Sequence, residues 1–513
     1  MGRHLSSLEM RFYLTTPIYY VNSTPHIGHA YTTIAADIVV RHHRQRGDET
    51  FFLTGVDEHA TNVARVARAQ GLEPQEYTDQ IAVVWRSLPE RLNVSNDFFI
   101  RTSDDGHKRF VREFLQRMYD RGDIYEDVYA GWYCVSCEAF KTEEELVDGN
   151  CPIHERPAEW IEEKNYFFRL SAYQDALLAI YDERPDFVLP GFRYNEARSF
   201  IAGGLQDFSI SRAGNDWGIR LPWDESQVAY VWADALVNYL SALSYARPGR
   251  DLVPEFWPAV RHMLGKDILR FHCVYWPAML LSAGYDIPLQ LFVHGYLLLD
   301  ERKISKSQGN VIDPLELIEV YGADAVRFWC ARAVSFGHDG TASLDDIHER
   351  YERELGNDLG NLVSRTTAMI ARYRGGVLVK TPGSGAFDAA ALRQTIVEQF
   401  DRYEITGALD SIWHAIRALN QHVEATAPWQ LAKDESRADE LDQVLYDLAD
   451  GIVAVAVALS PYLPETAPRI LEALGQPIDL SLDRVAAGVA EAADGIEAAA
   501  PLFPRVDTAA PAA

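Results

Sequence analysis

Cysteine is scarce in this chain: five residues in 513, too few and too scattered for a disulfide framework. Long apolar runs are missing as well. No stretch reaches the roughly 18 uninterrupted apolar residues that a membrane-spanning helix requires, which excludes that class of protein. The opening MGRHLSSLEMRFYLTTP lacks the apolar core of a secretory signal, so residues 1–10 are expected to be a loose tail, with Met10 as an alternative start and a reducing, cytoplasmic setting. The closing TAAPAA is expected to be disordered. Basic charge is also short. Lys and Arg number 48 against 75 Asp and Glu, a net −27, and taken alone this argues against an RNA partner, because affinity for phosphate backbones comes from cationic surface. A whole-chain sum does not locate charges, and a cluster such as Arg41, His42, His43, Arg44 and Arg46 can present local positive potential or simply a solvated helix face.

What is present is a 48% hydrophobic, 24% charged composition, enough to bury a large core and divide into two or three domains. The first hundred residues alternate short apolar runs with helical periodicity. Strands are expected at Phe12–Pro17, Thr50–Thr54 and Asp97–Ile100, and a helix from about His29 to Arg46. Gly47 and Gly71 stand as C-terminal stops, the latter after a helix through Asn62–Gln70. Such alternation predicts a parallel, doubly wound α/β sheet. From about Tyr125 to Arg220 the pattern turns aromatic-rich and turn-dense, as an insertion would. It resumes with His262–Gly265, a helix through Phe271–Leu281 and a strand-like run Gln290–Leu299. After Ser343 only long amphipathic patterns remain, at Asn361–Tyr373, Thr406–Val423 and Leu441–Leu459, which predict a helical bundle. The segment Pro501-Leu502-Phe503-Pro504 is expected to fold back over apolar surface.

Two segments carry phosphate chemistry. In Thr24-Pro25-His26-Ile27-Gly28-His29-Ala30, two imidazoles and a glycine stand where a helix begins, and a helix N-terminus attracts anions. Alone, such paired histidines are more often caps or packed core groups. Later, Lys303-Ile304-Ser305-Lys306-Ser307-Gln308-Gly309-Asn310 places two lysines and hydroxyls on a Gly-bounded loop beyond a strand, suited to a departing pyrophosphate; alone it is equally a solvated basic turn. Unrelated turns rarely supply both in this order. Together they resemble the HIGH and KMSKS motifs of class I aminoacyl-tRNA synthetases, departing only at Ile304, where the family usually has Met. The resemblance implies attack of an amino-acid carboxylate on the α-phosphate of Mg-ATP, with His26, His29, Lys303 and Lys306 as catalytic groups. Gly28, Ser305 and Ser307 would join them in binding ATP.

The runs Ala229-Tyr230-Val231-Trp232-Ala233-Asp234-Ala235-Leu236-Val237-Asn238-Tyr239 and Phe292-Val293-His294-Gly295-Tyr296 resemble the methionine pocket of the methionyl-tRNA synthetases. By that resemblance Ile18, Tyr20, Trp232, Ala235, Leu236, Tyr239 and His294 line the side-chain pocket and Asp57 holds the amino group. Leu236 departs from the Pro of some members. The 274 residues from His29 to Lys303 (303 − 29) are too few for the editing domain of the leucyl, isoleucyl and valyl enzymes. Cys134-Val135-Ser136-Cys137, thirteen residues, then Cys151-Pro152-Ile153-His154 is a CxxC…CxxH set that can close a tetrahedral zinc site. It predicts one structural zinc on Cys134, Cys137, Cys151 and His154; a redox CxxC would leave Cys151 and His154 unexplained. Asn361, Arg365 and Trp429 match the family's anticodon-reading positions.

The architecture implied is a Rossmann-type sheet (11–122 and 225–342) split by a zinc-containing connective insertion (123–224). An all-α anticodon-binding bundle (343–475) and a C-terminal extension (476–513) follow. Substrates would be ATP, L-methionine and tRNA(Met), and a monomer is expected because no basic or OB-like module follows the bundle. Rival readings are a synthetase for another amino acid, a small-molecule nucleotidyltransferase using the same histidine motif, and a catalytically dead tRNA-binding relative.

Overall fold

The structure, a computed structural model, describes residues 11–134, 139–141, 143–152, 156–213, 215–299, 302–303, 312–335, 337–381 and 385–506. The chain divides into two compact units, each discontinuous in sequence. One holds Met1–Pro25, Phe51–Ser87 and Asn96–His294; the other holds His26–Thr50, Leu88–Ser95 and Gly295–Ala513.

The first unit is built on a seven-stranded sheet. Its strands in chain order are β1 (Arg11–Thr15), β2 (Tyr19–Tyr20), β3 (Glu49–Asp57), β4 (Phe98–Arg101), β5 (Val188–Leu189), β6 (Val260–Gly265) and β7 (Gln290–His294). In space they run β5-β7-β6-β1-β3-β2, with β4 also paired to β3. The pairings of β1 with β6, β6 with β7, β5 with β7, β2 with β3 and β3 with β4 are all parallel. Leu53, Val56, Val260, Leu264, Leu291 and Val293 are fully buried. Such near-continuous apolar strands are what a parallel sheet covered on both faces requires. Gly55 has no room for a side chain: a Cβ there would meet the Ile100 carbonyl oxygen of β4 at 2.1 Å.

Between β4 and β6 the expected insertion forms a second, antiparallel sheet of four strands, Phe208–Ser209, Glu159–Phe168, Ile124–Cys134 and Ala139–Lys141. One element of that stretch, β5, belongs instead to the edge of the parallel sheet, which the sequence did not disclose. Helices of the first unit that matter for the site are Val231–Ala235 and Asn238–Tyr245. The helix expected through Phe271–Leu281 begins as a π-helical turn, Phe271–Tyr275, and continues as α-helix over Trp276–Ala283. Such wide turns are frequent at functional sites.

The second unit contains helix α1 (Ile27–Gln45), followed much later in sequence by α2 (Pro314–Tyr321), α3 (Ala323–Ala333), α4 (Asn361–Arg374), α5 (Ala389–Phe400), α6 (Ile405–Thr426) and α7 (Ala438–Leu459). The last is apolar nearly all round, with Ile452 to Leu459 buried without interruption, as befits a central helix. The expected single strand Gln290–Leu299 is two: β7 stops at His294, and Leu297–Leu299 starts a small sheet with Arg302–Lys303 and Gly340–Ala342. The C-terminal segment does fold back. Leu502 is buried, Tyr351 donates its hydroxyl to the Pro504 carbonyl at 2.8 Å, and the Phe503 ring meets Tyr351 edge-on at 6.0 Å.

Candidate active site

Helix α1 starts one residue after His26, which is its N-cap in extended conformation. The His26 ring accepts the Gly28 N–H at Nδ1 (3.1 Å), and the His26 N–H is accepted by Nδ1 of His29 (3.1 Å). This is a capping box made of two imidazoles instead of hydroxyl and carboxylate. Their centroids lie 3.8 Å apart. Because each Nδ1 is an acceptor, the proton of each neutral ring sits on Nε2, leaving two N–H donors of fixed tautomer at the positive end of a 19-residue helix. Gly28 serves the cap itself: a Cβ there would come within 3.0 Å of His26 Cε1. The Ile27 N–H donates to the Ile312 carbonyl at 3.1 Å, tying the cap to the residue at the start of the segment that carries α2. Of the lysine loop, Lys303 is placed by its backbone, paired antiparallel with Leu298; Ser305, Lys306 and Ser307 lie outside the described residues.

In the first unit the C-terminal ends of the parallel strands bring the expected pocket residues together. Open α/β sheets hold ligands at these ends. Tyr20 and Asp57 are register partners at the ends of β2 and β3, and His294 ends β7 opposite Gly265 of β6. Asp57 is buried at 2% exposure. Its Oδ1 is approached by the His59 N–H at 3.4 Å and the Thr102 hydroxyl at 3.5 Å. Trp232, Ala235 and Leu236 are buried on the helix Val231–Ala235 and at its C-cap. Tyr20 meets the Trp232 ring edge-on at 6.4 Å, while Ile18 is half-buried against the core. The buried indole N–H of Trp232 has no hydrogen-bond partner among the described residues. A buried donor left open is one that a bound molecule can satisfy.

Two residues of this wall were not anticipated. Phe271 stacks on Trp232, centroids 3.9 Å apart and planes 7° from parallel, and His272 Nε2 faces the Tyr239 hydroxyl at 2.7 Å. Both come from the π-helical turn. His272 Nδ1 lies 3.0 Å from the Ile268 carbonyl, so it donates there and Nε2 accepts from Tyr239. Burial pushes the His272 pKa down to about 4 and that of the Tyr239 hydroxyl up, so a neutral ring faces a protonated phenol. His262 extends the network. It accepts from the Trp276 indole at 3.2 Å and meets Thr15 Oγ1 at 2.8 Å, and burial holds its pKa well below the usual imidazole range. A histidine within Arg270-Phe271-His272-Cys273-Val274 was the available signal: a polar group in a run otherwise fit for a core.

The metal set is half described. Cys134 and Cys151 are buried thiols at 1% and 0% exposure, the first ending the strand Ile124–Cys134 and the second in a short ribbon with Arg156. Cys137 and His154 lie outside the described residues. Cys273 and Cys330 are buried thiols, as expected of core cysteines.

In the helical unit Asn361 is exposed on the first turn of α4, with Arg365 one turn on. Trp429 follows Pro428 in a short helix after α6, entered through Ala427 in the left-handed region (φ 42°). The Arg365 guanidinium lies 5.9 Å from the Trp429 ring centroid and pairs with Glu424 at 2.8 Å. A cation poised by a partly exposed indole is an arrangement on which a nucleobase can stack.

Comparison with known proteins gives a consistent result. The profile of the family described as "tRNA synthetases class I (M)" matches residues 12–159 and 143–367. A methionine–tRNA ligase of Caldanaerobacter subterraneus is 44% identical over 98% of this chain and 80% of its own length, and that of Streptomyces coelicolor 42% over 90% and 89%. Among solved structures, Mycobacterium tuberculosis methionyl-tRNA synthetase in complex with methionyl-adenylate is similar at a TM-score of 0.91 and 41% identity, covering 96% of this chain and all of that one. The apo form of that enzyme gives 0.84 and 39%.

Proposed function

This chain belongs to the methionyl-tRNA synthetases, and from that premise we propose how its residues join L-methionine to tRNA(Met) at the expense of ATP. In the first step the methionine carboxylate attacks the α-phosphate of Mg-ATP in line and pyrophosphate leaves. No protein nucleophile takes part, so catalysis rests on positioning and on charge stabilisation in the transition state. The Nε2–H groups of His26 and His29, fixed by the reciprocal cap, donate to phosphate oxygens. Gly28 keeps the cap clear, and Lys303, Ser305, Lys306 and Ser307 hold the phosphates, with Lys306 as the main transition-state contact. In the second step a hydroxyl of the tRNA's terminal adenosine attacks the methionyl carbonyl of the adenylate and AMP leaves, while the anticodon meets Asn361, Arg365 and Trp429.

Asp57 takes the substrate ammonium. Ile18, Tyr20, Trp232, Ala235, Leu236, Tyr239 and His294 surround the side chain, and Phe271 and His272 join them because they touch Trp232 and Tyr239 directly. Aromatic rings suit a polarizable thioether. The observation that carries this reading is the buried wall in which a neutral His272 accepts from Tyr239 beside the Trp232–Phe271 stack. Its test is amino-acid-dependent ATP–pyrophosphate exchange across the twenty amino acids: methionine supports exchange above all others, and failure with methionine overturns the assignment.

One structural zinc ion fits the two buried thiols, since Cys134 and Cys151 supply soft donors shielded from water. Cys137 and His154 would complete the tetrahedron and fix the fold of the insertion. Metal analysis of the purified protein is expected to find one zinc per chain, and none would refute the site. No helix among the described residues is long and apolar enough to cross a membrane, and we place the protein in the cytoplasm as a monomer. Sedimentation at micromolar concentration checks the latter.

A further inference from the structure

Next to Asp57 and the helix Val231–Ala235 lies a chain of buried polar groups with no part in the chemistry just described. Asp234, 1% exposed, accepts at Oδ2 from His59 Nδ1 and at Oδ1 from His107 Nε2, both at 2.6 Å. His107 Nδ1 in turn meets Ser241 Oγ at 2.7 Å. His59 is the third residue of the turn that Asp57 begins, and its backbone N–H is aimed at Asp57 Oδ1. The turn is gripped from two segments: Asp57 by Thr102 and Glu58 by two hydrogen bonds from the adjacent Arg101 (2.7 and 3.2 Å), and His59 by Asp234. Asp234 itself stands two residues after Trp232 and immediately before Ala235.

Burial opposes ionisation of Asp234, yet the attraction of His59 and the hydrogen bonds from both imidazoles hold its carboxyl down to about 2. An ionised carboxylate only accepts, so both nitrogens facing it carry protons. A buried network of this kind can simply stabilise the core. Its connectivity does more here, because one carboxylate joins the helix bearing the apolar wall to the turn bearing the pocket's charge.

We propose that Asp234 is a positioning residue for methionine: through His59 it fixes the Asp57 carboxylate relative to Trp232, Ala235 and Leu236. This rests on the methionine reading above and deepens it. Asp234→Asn keeps an oxygen for one imidazole but turns an N–H toward the other. In pyrophosphate exchange with the full chain, the variant is expected to raise the methionine KM about tenfold or more while the ATP KM stays within about twofold. The His59 pair carries the test if that variant fails to fold. His59→Asn places an amide nitrogen where Nδ1 stands and should retain a near-native methionine KM, whereas His59→Ala should not. A methionine KM unchanged in all variants, equal rises in both KM values, or equal damage from the two His59 substitutions overturns the proposal. Wild-type protein run alongside separates the two levels: no methionine-dependent exchange there sinks the methionine reading, while an active wild type with a flat variant series sinks the positioning role alone.

Discussion

His272 is neutral at any working pH because burial pushes its pKa down to about 4, against partial opposition from its bond to Ile268 and from Asp267. The unfolded chain binds that proton near pH 6.5, so between pH 6.5 and 4 the unfolded state holds more protons and stability falls on acidification. At about 1.4 kcal/mol per pH unit the loss from His272 reaches roughly 3 kcal/mol, and His262, lowered in the same direction, adds to it. His272→Gln should therefore flatten the decline of melting temperature between pH 6.5 and 4; a slope equal to wild type contradicts the assignment. Trp429→Ala is expected to reduce tRNA charging about tenfold or more, given one stacked base lost, while leaving methionine-dependent pyrophosphate exchange nearly intact. Equal loss in both assays removes Trp429 from the anticodon site. At this scale the sequence drew attention to residues that a motif carried, as for His26, Asp57 and Trp232. It was silent on Phe271 and gave only a faint sign of His272, a polar group in an apolar helical run that looks like core until its neighbours are known.

Among elements, helices with caps and glycine stops were readable almost to the residue: α1 ends at Gln45, and Gly47 takes φ 85°. The run Gln290–Leu299 was not, because apolar character continues straight through the break. The break lies at Gly295 and Tyr296. The Tyr296 N–H donates to Asp339 Oδ1 at 2.8 Å and its carbonyl accepts from the Gly340 N–H at 3.1 Å, turning the chain from a strand into the small sheet that holds Lys303. Gly295 is pressed against this turn, and a Cβ would lie 2.3 Å from the His338 carbonyl carbon and 2.4 Å from the Asp339 nitrogen. Both obstacles are backbone, so they cannot step aside as a side chain end would. Gly295→Ala should destabilise by about 1–3 kcal/mol and, by shifting the strand that precedes the lysine loop, lower kcat of exchange. Native melting behaviour and native kcat together would show that the backbone gives way freely.

For the molecule as a whole, a net charge of −27 pointed away from RNA and misled, because a whole-chain sum does not say where the cationic groups stand. The α/β class and the trailing bundle were evident from periodicity. Hidden from the sequence was the grouping of the histidine-bearing helix α1 with the C-terminal helices, since it depends on partners far apart in the chain. Arg327 of α3, fully buried, donates to the carbonyls of Leu92 (3.1 Å), Pro461 (2.7 Å) and Tyr462 (3.1 Å) and pairs with Asp37 of α1 at 2.7 Å. Asp37 also accepts from Arg41 and from the backbone and hydroxyl of Ser95. The two residues disagree electrostatically in an instructive way. Burial is the largest influence on each, yet Asp37 is held below its ordinary pKa by Arg327 and Arg41, while the Arg327 pKa is lowered by desolvation that Asp37 offsets in part. The carboxylate is supported by Arg327, Arg41 and Ser95, whereas the guanidinium gains from Asp37 and Asp324 but is opposed by Arg41. Removing Arg327 leaves Asp37 partly held but strips donors from three buried carbonyls, so Arg327→Met should cost about 3–5 kcal/mol. Arg327→Lys should cost less, because it keeps the charge while losing the planar fork. Thermal denaturation in the order wild type, Arg327→Lys, Arg327→Met is the expected result, with exchange activity falling in the same order as α1 loses its anchor. Arg327→Met melting with the wild type would mean that apolar packing alone holds α1 to the bundle.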